Sequence, residues 1–306
     1  MSAYFRQDFL DTPDGARLYF QLHGEGETAV VMCDGVGCDG FAWKYLLPRM
    51  KQKHRVIRWH YRGHGLSGVP DDRDRIGFQY TADDLARVLD AAGVKDAIVF
   101  GHSMGVQVAL EFHRRHSSRV RALVLLCGSY GYPLDTVHDD TLLRRVFPFV
   151  RTIVENAPGL ARRVSRFIMK TELALQVALT FELNRELLAR NDMLPYFEHL
   201  AAMDPVVFVR TLETMAEHSA WDHLPRIDVP ALIVGGEQDR FTPLWLSRRM
   251  AEAIRDSEFM IVPNGSHTAP LEQPHLVCER VERFLRTRCN DATETSRSVP
   301  ALESIG

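Results

Sequence analysis

Residues 97–106 read A-I-V-F-G-H-S-M-G-V, one serine between two glycines at the seam of two kinds of sequence. Its first four residues form a continuous apolar run of strand type. The residues from Gly105 onward, G-V-Q-V-A-L-E-F-H-R-R-H, repeat with the period of an amphipathic helix. A chain that passes from strand to helix within a few residues needs tight backbone geometry, and glycines on either side of Ser103 remove the Cβ atoms that would collide there. Such a turn lifts the Ser103 hydroxyl above the edge of a sheet, where G-x-S-x-G between a strand and a helix presents a nucleophile.

The flanking sequence has the same alternation. Further strand-like runs occupy 17–23, 29–33, 55–59, 122–127, 231–235 and 259–262. Several are apolar throughout, as strands covered on both faces are. Between them, T-A-D-D-L-A-R-V-L-D-A-A-G reads as a helix opened by a capping box of Thr81 and Asp84 and closed at Gly93. Thr242 and Pro243 read as the N-cap and first residue of a later helix. Strand and helix repeated in this way predict an α/β protein with a mostly parallel, doubly wound sheet, whose ligands gather at the carboxyl ends of the strands. From about Tyr132 to Asp222 the alternation stops and only helical periodicity remains, which predicts an insertion over that carboxyl edge. The expected organisation is a core of residues 1–131 and 223–288, a helical cap of 132–222 and a flexible, small and polar C-terminal tail of 289–306.

Composition limits the function classes. With 306 residues, 45% hydrophobic and 25% charged, the chain is long enough for one large domain carrying an insertion. A formal net charge of -3 argues against a general nucleic-acid binder. Five scattered cysteines, Cys33, Cys38, Cys127, Cys278 and Cys289, have no zinc-type spacing and fit a reducing cytoplasm. The first residues lack a basic region followed by an apolar one, and no run of 18 apolar residues occurs. Both features point to a cytoplasmic location.

A serine hydroxyl needs a base, and the base needs a carboxylate to hold its tautomer. Among 13 histidines, position selects. In sheets of this kind the order is serine, acid, histidine, with the histidine on a loop after the last strand. Only His267 and His275 lie there. His267 sits in the loop P-N-G-S-H-T-A-P, whereas His275 follows Pro274 on an incoming helix and reads as a surface residue. The acid should follow the strand at 231–235, where G-G-E-Q-D offers Asp239, with Glu237 nearer the strand end as a turn residue.

On G-H-S-M-G, G-G-E-Q-D, N-G-S-H and Y-R-G-H-G-L-S (61–67), the chain resembles a serine member of the α/β-hydrolase fold superfamily with a helical lid inserted after the sixth core strand, a likeness that runs from about Asp11 to Arg288. The resemblance implies an oxyanion hole made by the backbone N–H groups of Val36 and Met104. Two loop residues depart from the family pattern. Asp34, before Gly35, stands where histidine is common, and His60 stands where aspartate often precedes the arginine, here Arg62. Such a carboxylate aimed at a developing oxyanion would oppose it by about 4 kcal/mol at 4 Å, so Asp34 is expected to turn away and be held by a cation or backbone N–H groups, with Arg62 or His60 as partner.

These residues predict a carboxylic-ester hydrolase acting on small or medium hydrophobic acyl substrates through an acyl-enzyme, with no metal and no organic cofactor. Thioester, lactone or C–C bond hydrolysis and acyl transfer use the same machinery, and a non-catalytic small-molecule receptor of this fold is the alternative from another class. The insertion adds a separate signal. Residues 142–170 carry seven basic side chains, among them Arg162, Arg163 and Arg166, against Glu155 alone, a net of +6. A solvated basic face is the plain reading of this segment, and contact with a phosphate-bearing acyl carrier or a membrane surface is the sharper one.

Overall fold

The computed structural model describes residues 5–131, 142–169 and 190–289. Eight strands, β1 (Phe5–Asp11), β2 (Arg17–His23), β3 (Ala29–Cys33), β4 (Arg55–Trp59), β5 (Ala97–His102), β6 (Val120–Leu126), β7 (Ala231–Gly236) and β8 (Ser257–Val262), form one sheet in the order β1-β2-β4-β3-β5-β6-β7-β8. β2 runs antiparallel to β1 and β4, and every other pairing is parallel. This is the doubly wound sheet that the alternation predicts.

β1 is the strand the periodicity does not reveal. Its sequence, F-R-Q-D-F-L-D, packs no fully buried residue and pairs with β2 alone, so no apolar face marks it. Its ladder to β2, from Phe5 opposite His23 to Asp11 opposite Arg17, holds it, and in the turn that follows the Thr12 hydroxyl donates to the Ala16 carbonyl at 2.9 Å and accepts from the Ala16 N–H at 3.0 Å.

Helices cover both faces. α1 (Leu46–Met50), α2 (Phe78–Ala91) and α3 (Met104–His116) precede the insertion, and α8 (Leu244–Ala253), α9 (Ala269–Glu272) and α10 (Pro274–Arg288) follow it. One core layer joins Leu85, Leu110, Phe112 and Met250 to the sheet, and the other joins Trp43, Phe100, Val277 and Phe284 to its opposite face. Two helix starts differ from expectation. α2 begins at Phe78, one turn before the expected capping box, so Thr81 lies inside the helix. Asp84 is fully buried there and receives Arg62 at 2.7 Å on each oxygen. A long-range ion pair, invisible to local pattern, claims the carboxylate. α8 begins at Leu244 after Pro243, because the Thr242 hydroxyl is turned to Asp239 instead of capping the helix.

Between β6 and β7 the described residues form α4 (Leu142–Asn156), α5 (Pro158–Met169), α6 (Arg190–Ala202) and α7 (Pro205–Glu217). α4 packs on α7, and α5 packs on α6 and α7. The expected start of the cap at 132 and all but the first residue of the expected tail lie outside the described residues.

Candidate active site

The carboxyl ends of β3, β5, β7 and β8 converge, and each delivers one part of the site. β5 ends at His102, and Ser103 follows with φ 56° and ψ −120°, a conformation that costs a non-glycine residue about 1–3 kcal/mol. Two backbone bonds hold it: Ser103 N–H donates to the Leu126 carbonyl of β6 at 3.1 Å, and Val106 N–H donates to the Ser103 carbonyl at 3.0 Å. The glycines of the motif are steric requirements. A Cβ on Gly101 would lie 2.4 Å from the Gly105 carbonyl oxygen, and one on Gly105 would lie 2.0 Å from the Cys33 carbonyl oxygen at the end of β3.

The structure brings together the three residues selected from the sequence. Ser103 Oγ lies 2.8 Å from His267 Nε2, and His267 Nδ1 lies 3.0 Å from Asp239 Oδ2. Asp239 is buried and amply solvated by protein. Its Oδ1 accepts from Phe241 and Thr242 N–H at 2.9 Å each, and its Oδ2 accepts from the Thr242 hydroxyl at 2.8 Å. With His267 Nδ1–H donating to Asp239, Nε2 is left bare and faces the serine proton. Glu237 lies exposed and accepts from Asn264 N–H, and His275 is exposed on α10.

Sequence reasoning did not single out two groups that position the base. His102 Nε2–H donates to the His267 carbonyl at 3.0 Å, and burial lowers the His102 pKa to about 4, so the ring is neutral. The buried Glu272 accepts from Ser266 N–H at 2.7 Å and from the Thr268 hydroxyl at 2.8 Å, bracing the residues on both sides of His267. The only local signals were a histidine inside the elbow motif and a glutamate one turn past the loop.

The loop after β3 carries Asp34, Gly35 and Val36. The Tyr61 hydroxyl donates to the Asp34 carbonyl at 2.8 Å and fixes its path. Gly35 sits close to the nucleophile: a Cβ there would lie 3.1 Å from Ser103 Cβ and 3.0 Å from Cys38 Sγ. Val36 and Met104 both line the cavity beside Ser103, and no protein group among the described residues accepts from either N–H.

Neither expected partner holds Asp34. Arg62 is committed to Asp84 and, at 2.9 Å, to Asp14, while His60 meets Asp39 at 2.6 Å and accepts from Leu66 N–H at 2.9 Å. These bonds engage both side chains with other carboxylates and leave neither for Asp34. Asp34 is 4% exposed, its Oδ1 has no hydrogen-bond partner, and it does not line the cavity. Burial pushes its pKa from 3.8 up to about 6, against the pull of Arg58 and His60. The folded protein therefore binds the Asp34 proton more tightly than the unfolded chain, and this residue's contribution to stability falls as pH rises from about 4 to about 6. Asp34→Asn should match the native chain in stability near pH 4 and exceed it above pH 6, by up to about 3 kcal/mol. Urea unfolding of both proteins across that range measures the difference, which should grow through the window and stay level above it.

A cavity of about 140 Å³ opens beside Ser103. Its walls take Val36, Phe41, Met104 and Phe241 from α3 and the loops at the carboxyl ends of the strands, and Met193, Tyr196, Leu212 and Met215 from α6 and α7. Gln107, at the same wall, is spent on the Met215 carbonyl at 3.2 Å. The arrangement can hold an apolar group next to an activated hydroxyl. Among the described residues no cluster of His, Cys, Asp or Glu is placed to hold a metal ion, and no helix is long and apolar enough to cross a membrane.

A family model described as the alpha/beta hydrolase family matches residues 22–280. A RutD protein of Azorhizobium caulinodans, whose name carries a proposed carbamate hydrolase activity, is 28% identical over 271 residues, which span 88% of this chain and 95% of that protein. Solved structures of an enol-lactonase from Burkholderia xenovorans and a thermophilic esterase from Thermogutta terrifontis superpose with TM-scores of 0.73 and 0.72. Their identities are 19% and 23%, over 91% and 92% of this chain and 100% and 98% of theirs, a likeness of fold.

Proposed function

Because the chain belongs to the alpha/beta hydrolase family, we propose that it hydrolyses carboxylic esters of small or medium apolar acyl groups through an acyl-enzyme. The observation that carries this reading is the Ser103–His267–Asp239 chain of hydrogen bonds, at 2.8 and 3.0 Å, opening on an apolar cavity. His267 Nε2 takes the Ser103 proton as Oγ bonds to the ester carbon, and the carbonyl π pair moves onto its oxygen. Val36 and Met104 N–H groups donate to that oxyanion. When the carbonyl re-forms, the C–O bond to the alcohol breaks, and the leaving oxygen takes the proton from His267. A water molecule then attacks the acyl carbon, giving its proton to His267, and the acid leaves as Ser103 Oγ recovers that proton. Asp239 keeps Nδ1 protonated and supports the imidazolium in both half-reactions.

The likeness to the RutD protein favours carbamate hydrolysis as a second reading, with the same attack on a carbamoyl carbon. Treatment with a fluorophosphonate, followed by peptide mass analysis, should place the adduct on Ser103. A p-nitrophenyl ester series of increasing acyl length, run beside a carbamate and an acyl thioester, should give the highest kcat/KM for a short or medium ester. A folded protein that resists labelling and turns over none of the panel would belong to the non-catalytic receptors of this fold.

A further inference from the structure

The outer faces of α4 and α5 expose large apolar side chains in two regular stripes. On α4, Val146, Phe149, Val150 and Ile153 recur at i, i+3, i+4 and i+7. On α5, Leu160, Val164, Phe167 and Ile168 recur at i, i+4, i+7 and i+8. All eight are between 42% and 74% exposed. Scattered surface hydrophobes need no explanation, but two adjoining helical stripes do.

The charges around these stripes are sorted by side. Arg151 on α4 pairs with Glu155 and with Glu213 of α7, and Arg210 of α7 returns to Glu155 at 2.9 Å. Arg162 on α5 reaches Asp204 at 2.7 Å, so this cation is engaged within the chain. Arg163 and Arg166 are exposed and have no acidic partner among the described residues. Arg163 lies one turn from both Leu160 and Phe167, at the flank of the stripe, and Arg166 continues that flank. The hairpin's one acid, Glu155, is engaged with Arg151 and with Arg210 of α7, and its free cations stand beside its apolar stripe.

We propose that the α4–α5 hairpin docks on an anionic phospholipid surface, its stripes entering the boundary between headgroups and acyl chains while Arg163 and Arg166 meet lipid phosphates. Charge complementarity selects this occupant. A second copy placed by two-fold symmetry would bring the same arginines into the buried face a second time, while the hairpin's one acid, Glu155, is already engaged with Arg151 and Arg210. A lipid interface takes apolar side chains and cations from one amphipathic face without a fixed pattern of partners. α6 and α7, beneath the hairpin, line the cavity beside Ser103, so a docked protein holds that cavity next to the source of apolar substrates.

Co-sedimentation with vesicles tests this without reference to catalysis. The native chain should bind vesicles of equal phosphatidylcholine and phosphatidylglycerol at low salt, bind phosphatidylcholine alone far less, and release as salt rises. Arg163→Ala with Arg166→Ala should weaken binding about thirtyfold, and Phe149→Ser with Phe167→Ser should abolish it, while both variants hydrolyse a short soluble ester at the native rate. Equal binding to both vesicle types, or none to either, overturns the proposal from the native chain alone, even where a variant fails to fold. A concentration-dependent dimer in light scattering that Phe149→Ser with Phe167→Ser dissolves would assign the face to a second copy and overturn it as well.

Discussion

Ser103→Ala should lower kcat for ester hydrolysis by about a millionfold, and His267→Ala should do nearly the same. The two act on one proton at one bond, the 2.8 Å contact between Oγ and Nε2, so neither retains its role without the other. The double variant should therefore fall no further than either single one. Each substitution removes a polar tip from the rim of a cavity and leaves the sheet intact, so circular dichroism and thermal unfolding should remain close to native. Stopped assays with a purified ester, long enough to register slow turnover, measure the loss. Ser103→Ala within tenfold of the native rate would remove the acyl-enzyme from consideration.

Asp239→Asn should cost about four powers of ten in kcat, and the local hydrogen bonds show why the loss is so large for so small a change. Oδ1 accepts from two backbone N–H groups, of Phe241 and Thr242, and those donors admit only an oxygen at that position. The amide NH2 must then occupy the Oδ2 position, facing His267 Nδ1 and the Thr242 hydroxyl. An N–H donor there turns Nδ1 into an acceptor and moves the ring proton to Nε2, where it confronts the serine hydroxyl. The base is present, correctly placed and already protonated on the nitrogen that should receive. Nitrogen-15 shifts of the His267 ring should report the exchanged tautomer, a readout that a general loosening of the loop would leave unchanged. A variant with kcat near native would mean that Asp239 does not set the tautomer.

The parts of this molecule that were legible in its sequence are those fixed by chain-local geometry or by topological order. The elbow could be read because glycines, an apolar run and a helical period all occur within 97–116, and the end of β3, whose Cys33 carbonyl oxygen would lie 2.0 Å from any Cβ on Gly105, supplies the physical reason. Asp239 and His267 could be chosen among many acids and 13 histidines because a parallel sheet dictates which loops reach its carboxyl edge. What could not be read depended on partners far along the chain. Asp84 looked like a capping residue because its claim by Arg62, 22 positions away, leaves no local trace. Asp34 looked as if Arg62 or His60 should hold it, yet Arg62 is taken by Asp84 and His60 by Asp39. β1 carried no signal because an edge strand with no buried face has nothing periodic to display.

The order of the sheet has a consequence for the chain as it is made. Ser103 is synthesised 164 residues ahead of His267, with the whole insertion and three further strands between them. The strained elbow needs only β6 beside it, through the Leu126 carbonyl, and so can be complete early. Its base arrives with the loop after β8, at the outer edge of the sheet, once β7 has added Asp239. A nascent or partly refolded chain thus carries a serine with ordinary alcohol reactivity, and the nucleophile is switched on by the final strand pairing. Under the proposed mechanism, chemical competence is coupled to completion of the domain.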